Sequence, residues 1–246
     1  MINEEPEAHV ADAVAGLAAG TRDEQMAATR EVLGVMPPAS AALGAAMVAF
    51  MRSDDLLAEI DAYGPDTLAT ACQSGCAWCC YVGHAAVSVP EAVAIAQHVA
   101  ALEEEQAARI QARLEDAAER AQSLSIHERW MLRDPCPFLD LDEARCRVYE
   151  VRPVRCRGWN SLDASACEAG FEDRGAGIDV PTNRLRFAVG TSTEEGQQAA
   201  FASAGLDARR GRIAEAVLLA MAEPDLSERW AAGEAIFDGI CADEEG

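Results

Sequence analysis

Within nine residues, Cys72-Gln73-Ser74-Gly75-Cys76-Ala77-Trp78-Cys79-Cys80, the chain gathers four of its nine cysteines. Four more follow at Cys136, Cys146, Cys156 and Cys167, and the ninth, Cys241, stands apart. Thiolates are soft, charged ligands, so eight of them within one hundred residues point to a metal ion or a metal cluster. The first group has the spacing C-x3-C-x2-C-C. On a helical turn Cys72, Cys76 and Cys79 would share one face, because residues three and four apart are neighbours. Cys79 and Cys80 would diverge by about 100° on a helix, so one of the two serves another metal, bridges two, or is a reactive thiol. Gly75 would let the backbone approach a thiolate and offer it an amide.

The second group is separated by nine, nine and ten residues. It lacks the paired C-x2-C knuckles of zinc ribbons, RING and LIM modules, and it is not the closely spaced ferredoxin run, although Cys136-Pro137 has that run's final dipeptide. Eight thiols suffice for two four-sulfur sites, or for one cluster with spare thiols. Between Arg145 and Arg157 lie five arginines against one acid, a local balance of +4 in a chain of net charge -22. This basic island suits a dianionic metal-thiolate centre or an anionic group of a cofactor, with Arg152, Arg155 and Arg157 as the candidate cofactor-binding residues. The alternative is that these arginines pair with the acidic remainder of the surface.

The charge of -22 argues against nucleic acid as a partner. All 20 basic residues are arginine, which excludes lysine chemistry such as a Schiff base. Met1 to Val10 carries Glu4, Glu5 and Glu7 and no apolar run, so it does not read as a secretory signal, and a cytoplasmic location is expected. In a reducing compartment, closely spaced cysteines hold metal rather than form disulfides. The apolar run from Ala39 to Met51 stops at Arg52, Asp54 and Asp55, short of the roughly 20 residues of a membrane span.

The elements that must position these thiols read as mostly helical. Residues 4 to 36 suggest two short amphipathic helices ended by Pro37-Pro38, with Thr21 or Asp23 capping the second, and 39 to 62 suggest a buried core helix. Tyr63-Gly64-Pro65 is a break. It divides an N-terminal helical extension, 1–62, from a cysteine-cluster domain, 63–246, whose motif core spans 72–167. A short strand at 85–89 precedes a helix beginning at Pro90-Glu91 and reaching about Val99. Residues 103 to 122 form a charged helix with Glu105 and Arg109, and Asp116 and Arg120, paired on its solvent face. The stretch 134–157 is irregular, with Pro135-Cys136-Pro137 extended. A strand is expected at 184–190, then helices at 194–204, 208–222 and 227–240 that cover the core, and a frayed acidic tail at 243–245. The fold class is therefore mostly α, a helical domain around a loop-rich cysteine core with few short strands.

Cys72, Cys76, Cys79 and Cys80, then Cys136-Pro137-Phe138-Leu139, then Cys146-x2-Tyr149-Glu150-x-Arg152-Pro153-x2-Cys156-Arg157, then Cys167, resemble the CxxCxxCC-type cysteine-cluster family of zinc- or iron-chelating proteins. The resemblance covers residues 72 to 167. It implies metal binding through all eight cysteines, with zinc, iron or an iron-sulfur cluster as the bound group. One branch of that family, flagellin lysine N-methylase, has a similar cysteine cluster and implies an iron-sulfur centre working with S-adenosylmethionine in methyl transfer. This implied S-adenosylmethionine rests on the family analogy alone, and no catalytic residue can be mapped.

Two other classes compete. One is a structural zinc-stapled domain in which closed thiolate coordination contributes folding energy and does no chemistry. The other is a radical S-adenosylmethionine enzyme, suggested by Cys72-x3-Cys76-x-Trp78-Cys79, which would require a βα barrel that the segments after Cys80 have too few strands to build. Among smaller candidates, His84 follows Cys80 by four residues and reads as an ordinary histidine before a ligand, as do His9, His98 and His127. Trp78, Tyr149 and Trp159 stand beside cysteines and either screen solvent from a metal or pack the core. Cys241 reads as a spare cysteine in a terminal helix.

Overall fold

The computed structural model describes residues 5–65, 68–81, 85–174 and 177–242. His84 and the acidic tail at 243–245 lie outside the described residues, as does the side chain of His9. Helix α1 (Glu5–Val35) runs unbroken where two helices were expected, and α2 (Pro38–Tyr63) starts just after Pro37. The inner face of α1 explains the difference. It carries Thr21, Gln25 and Thr29, all buried, and Gln25 Nε2 donates to Thr29 Oγ1 at 3.0 Å. These polar residues lie against α8 (Arg184–Ser203), whose own buried face includes Ser192, Thr193 and Gln197. A small-residue, hydrogen-bonded interface leaves no apolar stripe in the sequence. Gly196 permits the close approach, since a Cβ there would stand 2.4 Å from the Arg22 carbonyl oxygen.

Helix α3 (Val89–Ala100) opens on a complete capping box, Ser88 with Glu91, and carries a proline in its first turn as expected. Helix α4 (Glu104–Ser123) has the expected surface pairs, Arg109 to Glu105 at 2.5 Å and Arg120 to Asp116 at 2.6 Å. A short α5 (Ile126–Met131) leads into the proline-flanked Cys136 segment. The stretch expected to be irregular contains a tight hairpin, β2 (Leu139–Asp140) against β3 (Arg145–Cys146), and a single turn of helix, α6 (Val154–Gly158). Helix α7 (Ala164–Glu172), capped by Asp163, carries Cys167.

The strand expected at 184–190 is instead the first part of α8. Its alternating Arg-Leu-Arg-Phe pattern is overridden by Asn183, whose side chain accepts from the Leu185 and Arg186 amides and so starts a helix. The other two C-terminal helices are shorter than expected: α9 (Ile213–Ala222) starts late because Gly211–Arg212 forms β4, antiparallel to β1 (Ala86–Val87), and α10 (Leu226–Ala231) ends just before Gly233, which has a φ of +86°. The main core brings together Val87, Ile95, Leu114, Phe138, Phe201 and Trp230 from six segments, with Phe201 edge-on to Trp230 at 5.0 Å. The architecture is thus mostly helical, with two small two-stranded sheets among the described residues. No helix is long and apolar enough to cross a membrane among these residues.

Candidate metal centre

The first cysteine segment is not a helix from Cys72 to Ala77, which corrects the expectation of a shared helical face. Gly75 adopts φ of +90°, a left-handed conformation that glycine tolerates at little cost, and the chain turns there before a single 3-10 turn at Trp78–Tyr81. Side chains outside the cysteine pattern then hold the segment in place. Asn183 Nδ2 donates to the Leu68 carbonyl at 2.9 Å, and Asn183 N donates to Asn160 Oδ1 at 2.8 Å. The residue after Asn160, Ser161, accepts from the Ala71 amide at 2.8 Å and donates its own amide to Cys72 Sγ at 3.3 Å. Phe171 of α7 packs on Trp78 and on Tyr81, each at 4.9 Å, which brings the helix carrying Cys167 onto the Cys79–Cys80 turn.

Backbone pairing delivers the second group. The Cys136 amide donates to the Cys80 carbonyl at 2.8 Å, and Cys146 lies opposite Leu139 in the hairpin, whose amide in turn reaches the Cys136 carbonyl at 2.9 Å. Cys156 is brought by α6, which crosses α8 with Gly158 against Gly190. A Cβ on Gly158 would fall 2.8 Å from the Gly190 Cα. Cys72, Cys79 and Cys156 are exposed, and the other five of the eight are half-buried. Cys241 is buried away from them, beside Gly211, as a core residue.

The electrostatic couplings fall into two sets that share Cys79. Cys72 is acted on by Cys76, Cys79 and Cys167, and Cys76 by Cys79 and Cys167. Cys80 is acted on by Cys79, Cys136 and Cys146, and Cys156 by Cys136, Cys79 and Cys146. Desolvation is the largest influence on most of them and favours the neutral thiol. It raises Cys72, Cys76, Cys146 and Cys156, and pushes Cys136 up to about 12. Cys79 goes the other way. The Cys80 thiol hydrogen-bonds to it, which lowers Cys79 to about 7 and raises Cys80.

Two observations test whether a metal-thiolate centre suits these residues. Amides two positions along the chain, from Trp78, Phe138 and Val148, hydrogen-bond to Cys76, Cys136 and Cys146 and oppose their upward shifts. Such bonds favour the charged form of sulfur, the one a metal needs. Second, Arg152 is the one arginine of the basic island with no carboxylate partner among the described residues. Its neighbours Arg145, Arg147, Arg155 and Arg157 pair with Glu143, Asp140, Glu194 and Asp54. Arg152 lies over the Tyr149 ring at 4.0 Å, its charge lowers Cys79 and Cys146, and its Nε is buried without a partner. The donor set therefore fits a cation held by thiolates. Among the described residues, however, no three His, Cys, Asp or Glu side chains stand so that they could hold a metal ion, so the sulfurs are grouped without being in coordination geometry.

Residues 71–170 match the family model CxxCxxCC, described as "Putative zinc- or iron-chelating domain". The match covers 100 of the chain's 246 residues. All eight clustered cysteines fall inside it, and its description assigns zinc or iron as what the domain binds. No curated protein and no solved structure matches the chain.

Of the three arginines expected to face a cofactor, Arg152 alone acts on the clustered thiols, those of Cys79 and Cys146. Arg155 donates to Glu194 at 2.5 Å, and Arg157 is buried against α2. Arg113, which sequence reasoning left as part of a structural helix, reaches over to the Cys136 carbonyl at 3.1 Å, and its charge lowers Cys136. Its signal was its place between Ile110 and Leu114, on the apolar stripe of α4. Asn160, Ser161 and Asn183 carried no signal, because their role exists only once distant loops meet. Trp78 packs on Phe171, whereas Tyr149 and Trp159 are exposed beside the thiols.

Proposed function

We propose that the CxxCxxCC domain holds two metal-thiolate centres, one built from Cys72, Cys76, Cys79 and Cys167 and the other from Cys80, Cys136, Cys146 and Cys156. The observation that carries this reading is how the segments meet: the Cys136 amide bonds the Cys80 carbonyl beside the hairpin that holds Cys146, whereas Ser161 ties down Cys72 and Phe171 seats the helix of Cys167 against the Trp78–Tyr81 turn. A bound cation would reverse the desolvation that now favours neutral thiols, and binding would release protons. Arg152 offsets the negative charge of the thiolates on the Cys79 side.

Zinc and iron, including an iron-sulfur cluster, both suit an all-thiolate donor set. The main helical core lies largely outside the cysteine loops, which favours a centre with a role of its own over a staple that holds the fold. Bound iron-sulfur would supply one-electron chemistry, and its use with S-adenosylmethionine remains a reading from the family resemblance. The two small sheets offer no support for a radical-enzyme barrel.

Anaerobic purification followed by metal and sulfide analysis tests the proposal. Two zinc ions per chain, or a brown protein containing iron and sulfide, is the expected result. One zinc per chain would refute the division into two centres, and a metal-free protein with all eight thiols titratable would refute metal binding.

A further inference from the structure

The single turn that carries Cys156 is not self-supporting. Helix α6 has five residues, too few to be stable by itself, and its N-cap residue is Pro153, which has no side-chain oxygen to accept from the first amide. The missing acceptor comes from α3. Glu91 Oε1 accepts from the Val154 amide at 2.8 Å, 63 residues away in sequence. The other oxygen, Oε2, accepts from the Ser88 amide at 2.8 Å and the Ser88 hydroxyl at 2.9 Å. Glu91 is 3% exposed, and burying a carboxylate is costly unless its oxygens are satisfied. Ser88 Oγ already caps the Glu91 amide, so α3 keeps a side-chain cap of its own without the bond to Val154.

The same turn is gripped on its flanks, by Arg155 to Glu194 at 2.5 Å and by Arg157 to Asp54 at 2.5 Å. Glu91 fixes its start, and the negative charge of Glu91 is felt at Cys156. We propose that Glu91 is a positioning residue for Cys156: its carboxylate supplies the N-terminal cap that α6 lacks and so sets where the Cys156 sulfur meets its metal. The inference rests on the reading of Cys156 as a metal ligand. Glu91 itself does not touch the metal. It acts through the Val154 amide, two residues before the ligand.

The test is an anaerobic Co(II) titration of the reduced full-length chain, read by the thiolate-to-cobalt charge-transfer band. Glu91→Gln has one acceptor oxygen where the carboxylate uses two, and the Ser88 amide and hydroxyl together hold it, which leaves the Val154 amide facing an NH2 group; cobalt binding is then expected to weaken about 10- to 100-fold, the usual loss when a supporting residue of a metal site is removed. Ser88→Ala breaks the capping box and leaves the Val154 bond in place, so it lowers the melting temperature and keeps cobalt affinity within about twofold. Val154→Pro removes the same N–H from the other end and guards against a folding failure of Glu91→Gln. Pro153 already has φ of -53° and ψ of 148°, the conformation required before a proline, so the turn accepts it, and the cobalt loss should match.

In a Cys156→Ala background, Glu91→Gln should add no more than about a twofold further loss, because both changes act on one ligand. An undiminished loss in that background, or equal cobalt losses in Glu91→Gln and Ser88→Ala, would overturn the inference while leaving metal binding intact. A wild-type chain that binds no cobalt would overturn the metal reading itself and the inference with it.

Discussion

Replacing Arg157 with Met separates the two roles an arginine can play in the basic island. Arg157 is buried, and its guanidinium donates to the carbonyls of Glu150 at 2.5 Å and Arg152 at 3.1 Å while lying 4.4 Å from the centre of the Phe50 ring. Met fills most of the same volume but leaves both carbonyls without a donor, at about 1–3 kcal/mol each. The ion pair adds little, because the Asp54 side chain is 54% exposed and such pairs contribute about 0–1 kcal/mol. A loss of about 3 kcal/mol follows, equivalent to a fall in melting temperature of about 6–12 °C for a chain of this size. Arg152→Gln should behave in the opposite way. With no carboxylate partner among the described residues, Arg152 contributes little to stability, so the melting temperature barely moves, while the Cys79 thiol rises from about 7 as the nearby cation is removed. Calorimetric melting and the pH profile of thiol alkylation, resolved by mass spectrometry, read the two effects. If Arg157→Met melts like the wild type, or Arg152→Gln leaves the Cys79 profile unchanged, the assignment of the island is wrong.

Two further substitutions test the frame around the site. Asp207 is a buried carboxylate that burial alone would push up, but bonds from Arg209 and from the Phe237 amide hold it below the usual carboxylate range. Its contribution is therefore fully present above the unfolded value of about 4 and is lost as pH falls through the lower folded value. Asp207→Asn should cost about 2 kcal/mol at pH 7, and urea midpoints should show that cost shrinking only below about pH 4. A cost that instead shrinks between pH 6 and 8 would contradict the sign. At the α6–α8 crossing, Gly158→Ala places a methyl 2.7 Å from the Arg186 carbonyl oxygen. Forcing the helices apart should cost about 1–3 kcal/mol, and an unchanged thermal melt would show that the crossing can relax.

The chemistry of the site was more legible than its geometry. Cysteine spacing pointed to the zinc- or iron-chelating family whose model matches, because it is a matter of residue type, whereas four of the five arginines of the +4 island pair with carboxylates and only Arg152 of them acts on the thiols. The mostly helical fold was legible for α2, α3 and α4, whose apolar faces lie within one segment, α3 with its own capping box as well. It was not legible for α1 and the start of α8, since each buries polar residues against the other and neither shows a clean period. The supports of the cysteines were the least visible. Ser161 reaches Cys72 from 89 residues away, Arg113 reaches the Cys136 carbonyl from 23, and Glu91 reaches Val154 from 63. No local pattern encodes such pairings, because each partner is unremarkable until the helices bring them together.

The adjacent pair Cys79-Cys80 gains its meaning from that convergence. In a 3-10 turn successive side chains leave about 120° apart, so neighbouring cysteines are directed to different surroundings. Here the two thiols stay close enough to hydrogen-bond to each other, and Cys79 acts on Cys72 and Cys76 as well as on Cys80, Cys136, Cys146 and Cys156. The hydrogen bond between the two thiols then makes them unequal, Cys79 lowered and Cys80 raised, although their covalent chemistry is the same. A single tetrahedral ion takes four sulfurs and has no use for the other four. The two proposed centres would meet at this turn, near the one island arginine, Arg152, that has no carboxylate partner among the described residues.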